Sequence, residues 1–551
     1  MVVEASENQS AQHIGVVGDL PWMELPVVAK PKRFYSCLAG LQVQTQQPIQ
    51  VGPIAWVNAA PISTVTQELI AYSSQNLAAV GLESTDLLSS KWQACLTGGG
   101  RALTDQPYAM NYVGHQFGYF AGQLGDGRAV NIGETLTTTG RLAWQLKGVG
   151  PTVFSRQGDG FAVLRSSVRE FIGCEAMQGL NIPTTLALSL YARDHTVLRD
   201  PRYDGSVVQE RAATLCRLAP SFLRFGSFEL YAMHGDWTQL RQCVGFAVEQ
   251  YWPEILQAHH RTEAITAWPP SAWRALLEDW LTDVVRLTAE LVAAWQSVGF
   301  VHGVLNTDNL SIHGLTLDFG PYGFLEGVDQ SWTPNSSDQA GRYAYGQQVT
   351  VCRWNLERLV YALACSLGEP HALNTVLADY EHHYEQALHR RMAIKLGLRP
   401  GVTLAAVGEA TTHWFAMLQT QQADFTRAHR ALATVCTLPE LIAMVRQNAY
   451  RFNESKLDFT AKRFWSSWQS LVIQDLSERQ VSMNSVNPLF VPRNWQLQQA
   501  IARLEAGDAR QFEQLCKAAR DPFDAQAIPT ELVGLRPDII DEYATCLSCS
   551  S

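Results

Sequence analysis

Residues 302–320, HGVLNTDNLSIHGLTLDFG, hold the side chains best suited to chemistry. Asn309 and Asp318 offer an amide oxygen and a carboxylate, hard donors of the kind that hold Mg²⁺. Asp308, beside Asn309, is a second carboxylate able to accept a proton from an attacking hydroxyl. A positioned base of this kind contributes roughly 10²–10⁴-fold in rate. Upstream, Lys147 closes the strand-like run LAWQLKG, 19 residues after Arg128. A strand-borne lysine that follows a glycine-rich turn is an arrangement for gripping phosphates. The turn, GQLGDGRA, sets Gly122, Gly125 and Gly127 just before the strand-like AVNIGE. Glycines there let backbone N–H groups approach a phosphate with no Cβ in the way.

Other readings stay open at each position. A plain hairpin with left-handed residues accounts for the same glycines. Arg128 could bind a phosphate, whereas Asp126 would repel one if it faced the same way. RQGDGFAVLR adds a second tight turn, Asp159-Gly160, and CRLAPSFLRFG places Arg217 and Arg224 seven residues apart around an apolar segment. Paired guanidiniums suit a polyphosphate, and salt bridges between structural elements are the plainer alternative. The partner of Lys147 is expected on the helix that follows. Glu170 is the first choice; Glu175 is the second, because it lies on the more apolar face and would need a partner if buried.

In order and spacing these residues follow a protein kinase. His302 and Asn309 keep the pattern H-x-x-x-x-x-x-N, and Asp318-Phe319-Gly320 comes close behind. The third position of that loop, where a kinase carries its base, is Val304. On the residues alone, an enzyme using the displaced Asp308 and a non-catalytic nucleotide-binding module are equally open. A conventional kinase is disfavoured by Val304.

The elements that must position these groups read as a sheet followed by helices. From about 100 to 230, glycine-rich turns alternate with short β-prone runs, the pattern of a twisted antiparallel sheet. One helix, SSVREFIGCEAMQGL, is inserted and stopped near Gly179 and Pro183. Val168, Phe171, Ile172 and Glu175 share one of its sides; Glu170, Cys174 and Met177 share another. Residues 235–300 turn helical and Trp-rich, 302–326 read as loop and short strand, and almost everything beyond 345 reads as helix. Breaks are expected at GLRPG, NPLFVPRN and DPFDAQAIP. Within the first hundred residues the run TVTQELIAYSSQNLAAVGL reads as helix.

Composition limits the partners. The 551 residues, with 46% hydrophobic side chains and 16 tryptophans, describe globular protein of more than one ordinary core. A net charge of -10 gives no drive toward nucleic acid or anionic membrane. The N-terminal MVVEASENQSAQHIGVVGDL has acids, no Lys or Arg and no long apolar run, unlike a signal or transit peptide, and a cytoplasmic protein is expected. LTAELVAAWQSVGFVHGVL reads as a buried helix entering a loop rather than a membrane span. Most of the 11 cysteines stand singly among apolar residues, as small core residues of a reducing compartment do. Cys546 and Cys549 are closely spaced in the tail, either an inert end or a thiol pair with a redox or intermolecular role.

Longer runs carry a resemblance. GHQFGYFAGQLGDGRAV, QLKGVGPTVFSRQGDGFAVLRSSVREFIGCEAM, HGVLNTDNLSIHGLTLDFGPYGFLE, DQAGRYAYGQQ and the terminal SCSS are similar, in family order, to the selenoprotein O family of kinase-like protein adenylyltransferases. The likeness runs from about residue 100 to the C-terminus. It implies an α+β, protein-kinase-like two-lobed fold: an extension over 1–100, a small β-rich lobe over 101–232, and a large helical lobe with a C-terminal extension over 233–551. It implies ATP bound end for end relative to a kinase, so that the α-phosphorus faces the acceptor. AMP then passes to a Ser, Thr or Tyr hydroxyl of a protein and pyrophosphate leaves.

Position by position, the resemblance makes Asp308 the proton acceptor and Asn309 and Asp318 the holders of Mg²⁺ or Mn²⁺. Gly125, Gly127, Arg128, Lys147, Asp159, Gly160, Arg217, Arg224 and Asp318 face the nucleotide, and Glu170 supports Lys147. Expected targets include proteins of thiol homeostasis; neither nucleic acid nor membrane is expected as a partner. Many members carry a cysteine after Asp-Phe-Gly that pairs with a tail cysteine. Here SWTPNSSD has Pro334, leaving Cys549 without that partner and Cys546 as an alternative, and no selenocysteine is present.

Overall fold

The computed structural model describes residues 67–540, apart from 100–102, 104–106, 139, 202–204 and 262. The expectations about Cys546 and Cys549 lie outside the described residues. A small antiparallel sheet forms one region and helices form the larger remainder.

The sheet runs in the order β1 (Gln67–Tyr72), β7 (Leu186–Arg199), β8 (Val208–Ala219), β5 (Gly140–Lys147), β4 (Ala129–Thr137), with the short β6 (Ala162–Val163) also paired to β8. The period of two along β5 decides what each face carries. Trp144 and Leu146 point into a cluster with Leu77, Leu87 and Leu96 from the short helices just after β1. Ala143, Gln145 and Lys147 point the other way. In register, Gln145 lies opposite Arg217 on β8, so these two polar side chains share that second face.

One expectation fails here. The run TVTQELIAYSSQNLAAVGL is not one helix: Gln67–Tyr72 is the edge strand β1, paired with β7, and only Ser74–Ala79 is helical. The tertiary partner overrides local propensity, because β7 presents an open edge that the apolar LIAY can complete. The sheet therefore draws a strand from residues assigned to the N-terminal extension.

The inserted helix is Leu164–Gly179, packed across β7 and β8 and against the helix Arg510–Arg520. Twelve of its sixteen residues are buried, so both expected sides face protein rather than one facing water. At Gly173 an added Cβ would sit 2.7 Å from the Phe319 ring, so the glycine lets the loop bearing Asp318 close on this helix.

The helical part is built on Pro270–Val298, whose buried face carries Trp273, Trp280 and Trp295 and which ends at left-handed Gly299. It packs on Gln348–Ala364 and Tyr380–Lys395. The expected breaks fall between Lys395 and Leu404, Asn484 and Asn494, and after Arg520. Just past Gly299, β9 (Phe300–Val301) pairs antiparallel with β10 (Gly323–Phe324). That pairing pinches the intervening chain into a loop whose two arms carry Asp308-Asn309 and Asp318. Among the described residues no helix is long and apolar enough to cross a membrane.

Candidate functional site

The hairpin turn before β4, the end of β5, the end of β8 and the 302–322 loop meet around one cavity of about 470 Å³. Gly125, Gly127, Arg128, Lys147, Asp159, Gly160, Arg217, Arg224, Asp308, Asn309 and Asp318 all line it. Glu170 stands behind Lys147 rather than in the wall. A larger cleft of about 680 Å³ lies elsewhere, among Glu409, His413, Lys462 and Arg463, but it brings no carboxylate pair or phosphate-gripping lysine together.

At the floor is a buried charge network. Lys147 Nζ donates to Glu170 Oε2 at 2.6 Å and stands 3.3 Å from Asp318 Oδ1. Arg217 Nη1 bridges the same two acids, 2.6 Å from Glu170 Oε1 and 2.5 Å from Asp318 Oδ1. Arg224 Nη1 reaches Asp318 Oδ2 at 3.1 Å and the Asp308 carbonyl at 2.7 Å, with its guanidinium 4.5 Å over the Tyr112 ring. Burial alone would raise the Asp318 carboxyl; Arg217, Lys147 and Arg224 overcome it and hold the group well below the usual carboxylate range. Asp318 and Glu170 keep Arg217 protonated despite burial, and Tyr112, Asp318 and Asp126 do the same for Arg224. Asp318 sits in the left-handed region at φ 62°, which an aspartate tolerates better than a bulky residue.

Glu175, the second choice for Lys147, faces the opposite way and pairs with Arg520 on a helix far along the chain. Asp126 also lines the cavity, but its carboxylate is taken up by donors of the protein. It is buried, accepting from Met110 N (3.2 Å), Tyr112 OH (3.2 Å) and Gln145 Nε2 (3.1 Å), and burial raises its carboxyl against the pull of Arg224 and Arg217. Asp159 accepts two hydrogen bonds from Arg199, at 2.6 and 2.8 Å. Left-handed backbone is required at Gly125 (φ 105°) and Gly160 (φ 74°). A Cβ at Gly125 would meet the Phe154 ring at 2.5 Å, and one at Gly160 would meet the Gly150 carbonyl carbon at 2.2 Å.

Asp308 is enclosed by the small hairpin of β2 (Val113–Gln116) and β3 (Tyr119–Gln123). Gln116 Nε2 donates to Asp308 Oδ2 at 3.0 Å, and His115 N donates to Thr307 Oγ1 at 2.8 Å. Oδ1 is buried without a donor, and a Cβ at Gly114 would lie 3.0 Å from it. Burial pushes the Asp308 carboxyl up to about 6, against the opposing pull of Arg224 and of the Gln116 amide. His302 is structural: its Nε2 lies 2.9 Å from the Leu317 carbonyl, tying the two arms of the loop together.

Asn309 donates through Nδ2 to the Val304 carbonyl at 3.0 Å, leaving its Oδ1 as an acceptor in the same cavity as the Asp318 carboxylate. Two hard oxygens fit Mg²⁺ or Mn²⁺ if phosphate oxygens and water complete the shell. Among the described residues no group of three or more His, Cys, Asp or Glu could hold a metal without such help.

Reading the sequence missed Gln145, Gln116, Arg199 and Tyr112. Gln145 had a signal, being two residues before Lys147 and therefore on its face of β5. Gln116 had none, since its contact with Asp308 joins residues 192 positions apart.

The described cysteines include six that are buried, and none of those described is in a disulfide.

The family model described as protein adenylyltransferase SelO matches residues 43–520. The chain is similar to the protein nucleotidyltransferase YdiU of Methylobacillus flagellatus, 39% identical over 530 residues, which covers 94% of this chain and 99% of that one. It is 38% identical over 528 residues to YdiU of Tolumonas auensis, with 94% and 98% covered. To YdiU of Xanthomonas euvesicatoria it is 40% identical over 509 residues, with 90% and 94% covered.

Proposed function

The chain belongs to the protein adenylyltransferase SelO family and is a nucleotidyltransferase, and on that premise we propose that it moves AMP from ATP to a Ser, Thr or Tyr hydroxyl of a protein, releasing pyrophosphate. The observation that carries the reading is the position of Asp308. A buried carboxylate, pushed up to about 6 by burial, stands in the wall of the cavity that also holds Lys147 and Asp318, while the kinase base position is Val304.

In this reading the sheet and helical regions act as the two lobes of a kinase-like fold. The triphosphate lies in the cavity against Lys147, Arg217, Arg224 and Arg128, and the turns at Gly125–Gly127 and Asp159–Gly160 cover it. ATP lies end for end relative to a kinase, which brings its α-phosphorus toward Asp308. Glu170 holds Lys147 extended. Asp308 takes the proton from the acceptor hydroxyl as its oxygen bonds the α-phosphorus and the bond to the bridging oxygen of pyrophosphate breaks. Asn309 and Asp318 would hold Mg²⁺ or Mn²⁺, which supplies charge neutralisation on the phosphates.

A conventional kinase is the rival, and two labels separate the readings. With ATP labelled at the α-phosphate, lysate proteins or the enzyme itself become labelled; with γ-label they do not. Transfer of γ-label alone overturns the reading.

A further inference from the structure

Behind the hairpin that encloses Asp308 lie two cations that no acid among the described residues pairs with. Arg342 and Arg358 both stack on Trp354, their guanidinium carbons 4.7 and 5.0 Å from the ring centroid. Among the described residues neither is ion-paired, whereas neighbouring Arg353 pairs with Glu357 and Glu381. Nε and Nη2 of Arg342 and Nε of Arg358 are buried without an acceptor. Asp338, the acid nearest Arg342 in sequence, accepts from the backbone N–H groups of Arg342 and Tyr343, at 2.9 and 2.7 Å, and Glu357, beside Arg358, pairs with Arg353. On a chain of net charge -10, two guanidiniums at one place with no acid paired to them among the described residues are a local exception that stacking alone does not explain.

The place adjoins the proposed base. Gln116 touches Asp308, the next residue Phe117 lines the cavity, and Gly118 backs directly onto Arg342, where an added Cβ would lie 3.3 Å from its guanidinium carbon. Tyr343, next to Arg342, accepts from Phe117 N at 2.7 Å and donates to Asn306 Oδ1 at 2.6 Å in the cavity wall. The rim continues through His115, edge-on to Trp354, to Phe120 and Tyr119, which are 47% and 80% exposed. Exposed aromatics with unpaired arginines are the composition of a protein-recognition surface, and arginine clusters recognise acidic motifs.

We propose that Arg342, Arg358 and Trp354, with Tyr119 and Phe120, form the docking rim for an acidic segment of the substrate protein that flanks the acceptor hydroxyl. This rests on the proposed function, since the hydroxyl must reach Asp308 and this rim adjoins it. The arginines select carboxylates beside the hydroxyl, and the aromatic pair covers the apolar part of the segment. The rim thus sets which hydroxyls are modified without touching the nucleotide.

The test uses the full chain, α-labelled ATP, and peptides centred on Ser, Thr or Tyr with either glutamate or lysine at the flanking positions. The wild type labels glutamate-flanked peptides about tenfold better than lysine-flanked ones, as two charge pairs would allow. Arg342→Gln/Arg358→Gln removes the preference and Arg342→Glu/Arg358→Glu reverses it, while the Kd for ATP by calorimetry stays at the wild-type value. The wild-type preference is itself a readout should either variant fold poorly. Labelling of lysate proteins with no charge preference among peptides overturns the docking rim and leaves the function standing. No labelled protein or peptide, with ATP still bound, overturns the function and the rim with it. Binding of a single-stranded RNA oligonucleotide that is lost in the glutamate variant, with peptide preference unmoved, reassigns the rim and also overturns the proposal.

Discussion

Lys147 and Glu170, 23 residues apart in sequence, meet at 2.6 Å, and Arg217 takes the other oxygen of the same carboxylate. One acid thus fixes two of the cations proposed to meet the triphosphate. Lys147→Met leaves Glu170 its arginine, so the expected loss of stability is modest, about 1–2 kcal/mol, rather than the full cost of an orphaned buried charge. Affinity for ATP is expected to fall at least about tenfold, the cost of one charge-assisted bond. Calorimetry with ATP and a thermal melt measure the two effects separately.

The two glutamates of the inserted helix should separate cleanly. Glu175→Ala takes from Arg520 its buried acid and should destabilise the protein by about 1–3 kcal/mol, less than a fully orphaned charge because Arg520 keeps the Tyr72 carbonyl and is 20% exposed. Its affinity for ATP should match the wild type. Glu170→Ala should lower both. A Glu175 variant that loses ATP binding while its Tm is unchanged would contradict the assignment.

Asp308 sets the acid limb of activity. With its carboxyl pushed up to about 6, the fraction able to accept a proton falls as pH drops through 6, and the rate should fall with it. Asp308→Asn should lower kcat by roughly 10²–10⁴-fold. The stability effect has the opposite sign. The folded-state value is raised, so the stabilising neutral form is present below the ordinary value of 3.8 and is lost as pH rises through about 6. At pH 8 the asparagine variant should therefore melt higher, by an amount on the order of 3 kcal/mol at most. A lower Tm at pH 8 would show that Asp308 is not strained when ionised.

Asp318→Ala removes a carboxylate that three cations share. Loss of transfer is expected, together with lower stability, since Arg217 and Arg224 each lose one buried acceptor, Arg217 keeping Glu170 and Arg224 the Asp308 carbonyl. Electron paramagnetic resonance of Mn²⁺ in the presence of ATP gives a readout that does not depend on turnover. The wild type should bind the ion and the variant should not.

Gly160→Ala tests the second turn. The backbone there is left-handed, and the new Cβ would fall 2.2 Å from the Gly150 carbonyl carbon, so the chain must move. A cost of about 1–3 kcal/mol is expected, with weaker ATP binding, because the turn lies in the cavity wall. An unchanged melt and unchanged Kd would show that the turn yields freely.

The sequence by itself determined which chemical groups exist and in what order they arrive: a lysine ending an alternating strand, an Asp-Asn pair and a later Asp, and Val304 in place of a base. It also determined the sheet, the inserted helix and the helical remainder, because period two, period 3.6 and glycine stops are local properties of the chain. Tertiary structure decided everything that depends on distant partners. It chose Glu170 over Glu175 because Arg520 arrives from 345 residues away to claim the latter. It turned Asp126 inward onto Gln145 and Tyr112, and it drew LIAY into the edge of the sheet because β7 left that edge open. It also set Gln116 on Asp308, 192 residues downstream, and Arg342 behind Gly118, beside the Phe117–Tyr343 contact that spans 226 residues, by folding one small hairpin over both segments. Local pattern carries no record of such long-range contacts, since the energy that selects them is gained only once the chain has closed.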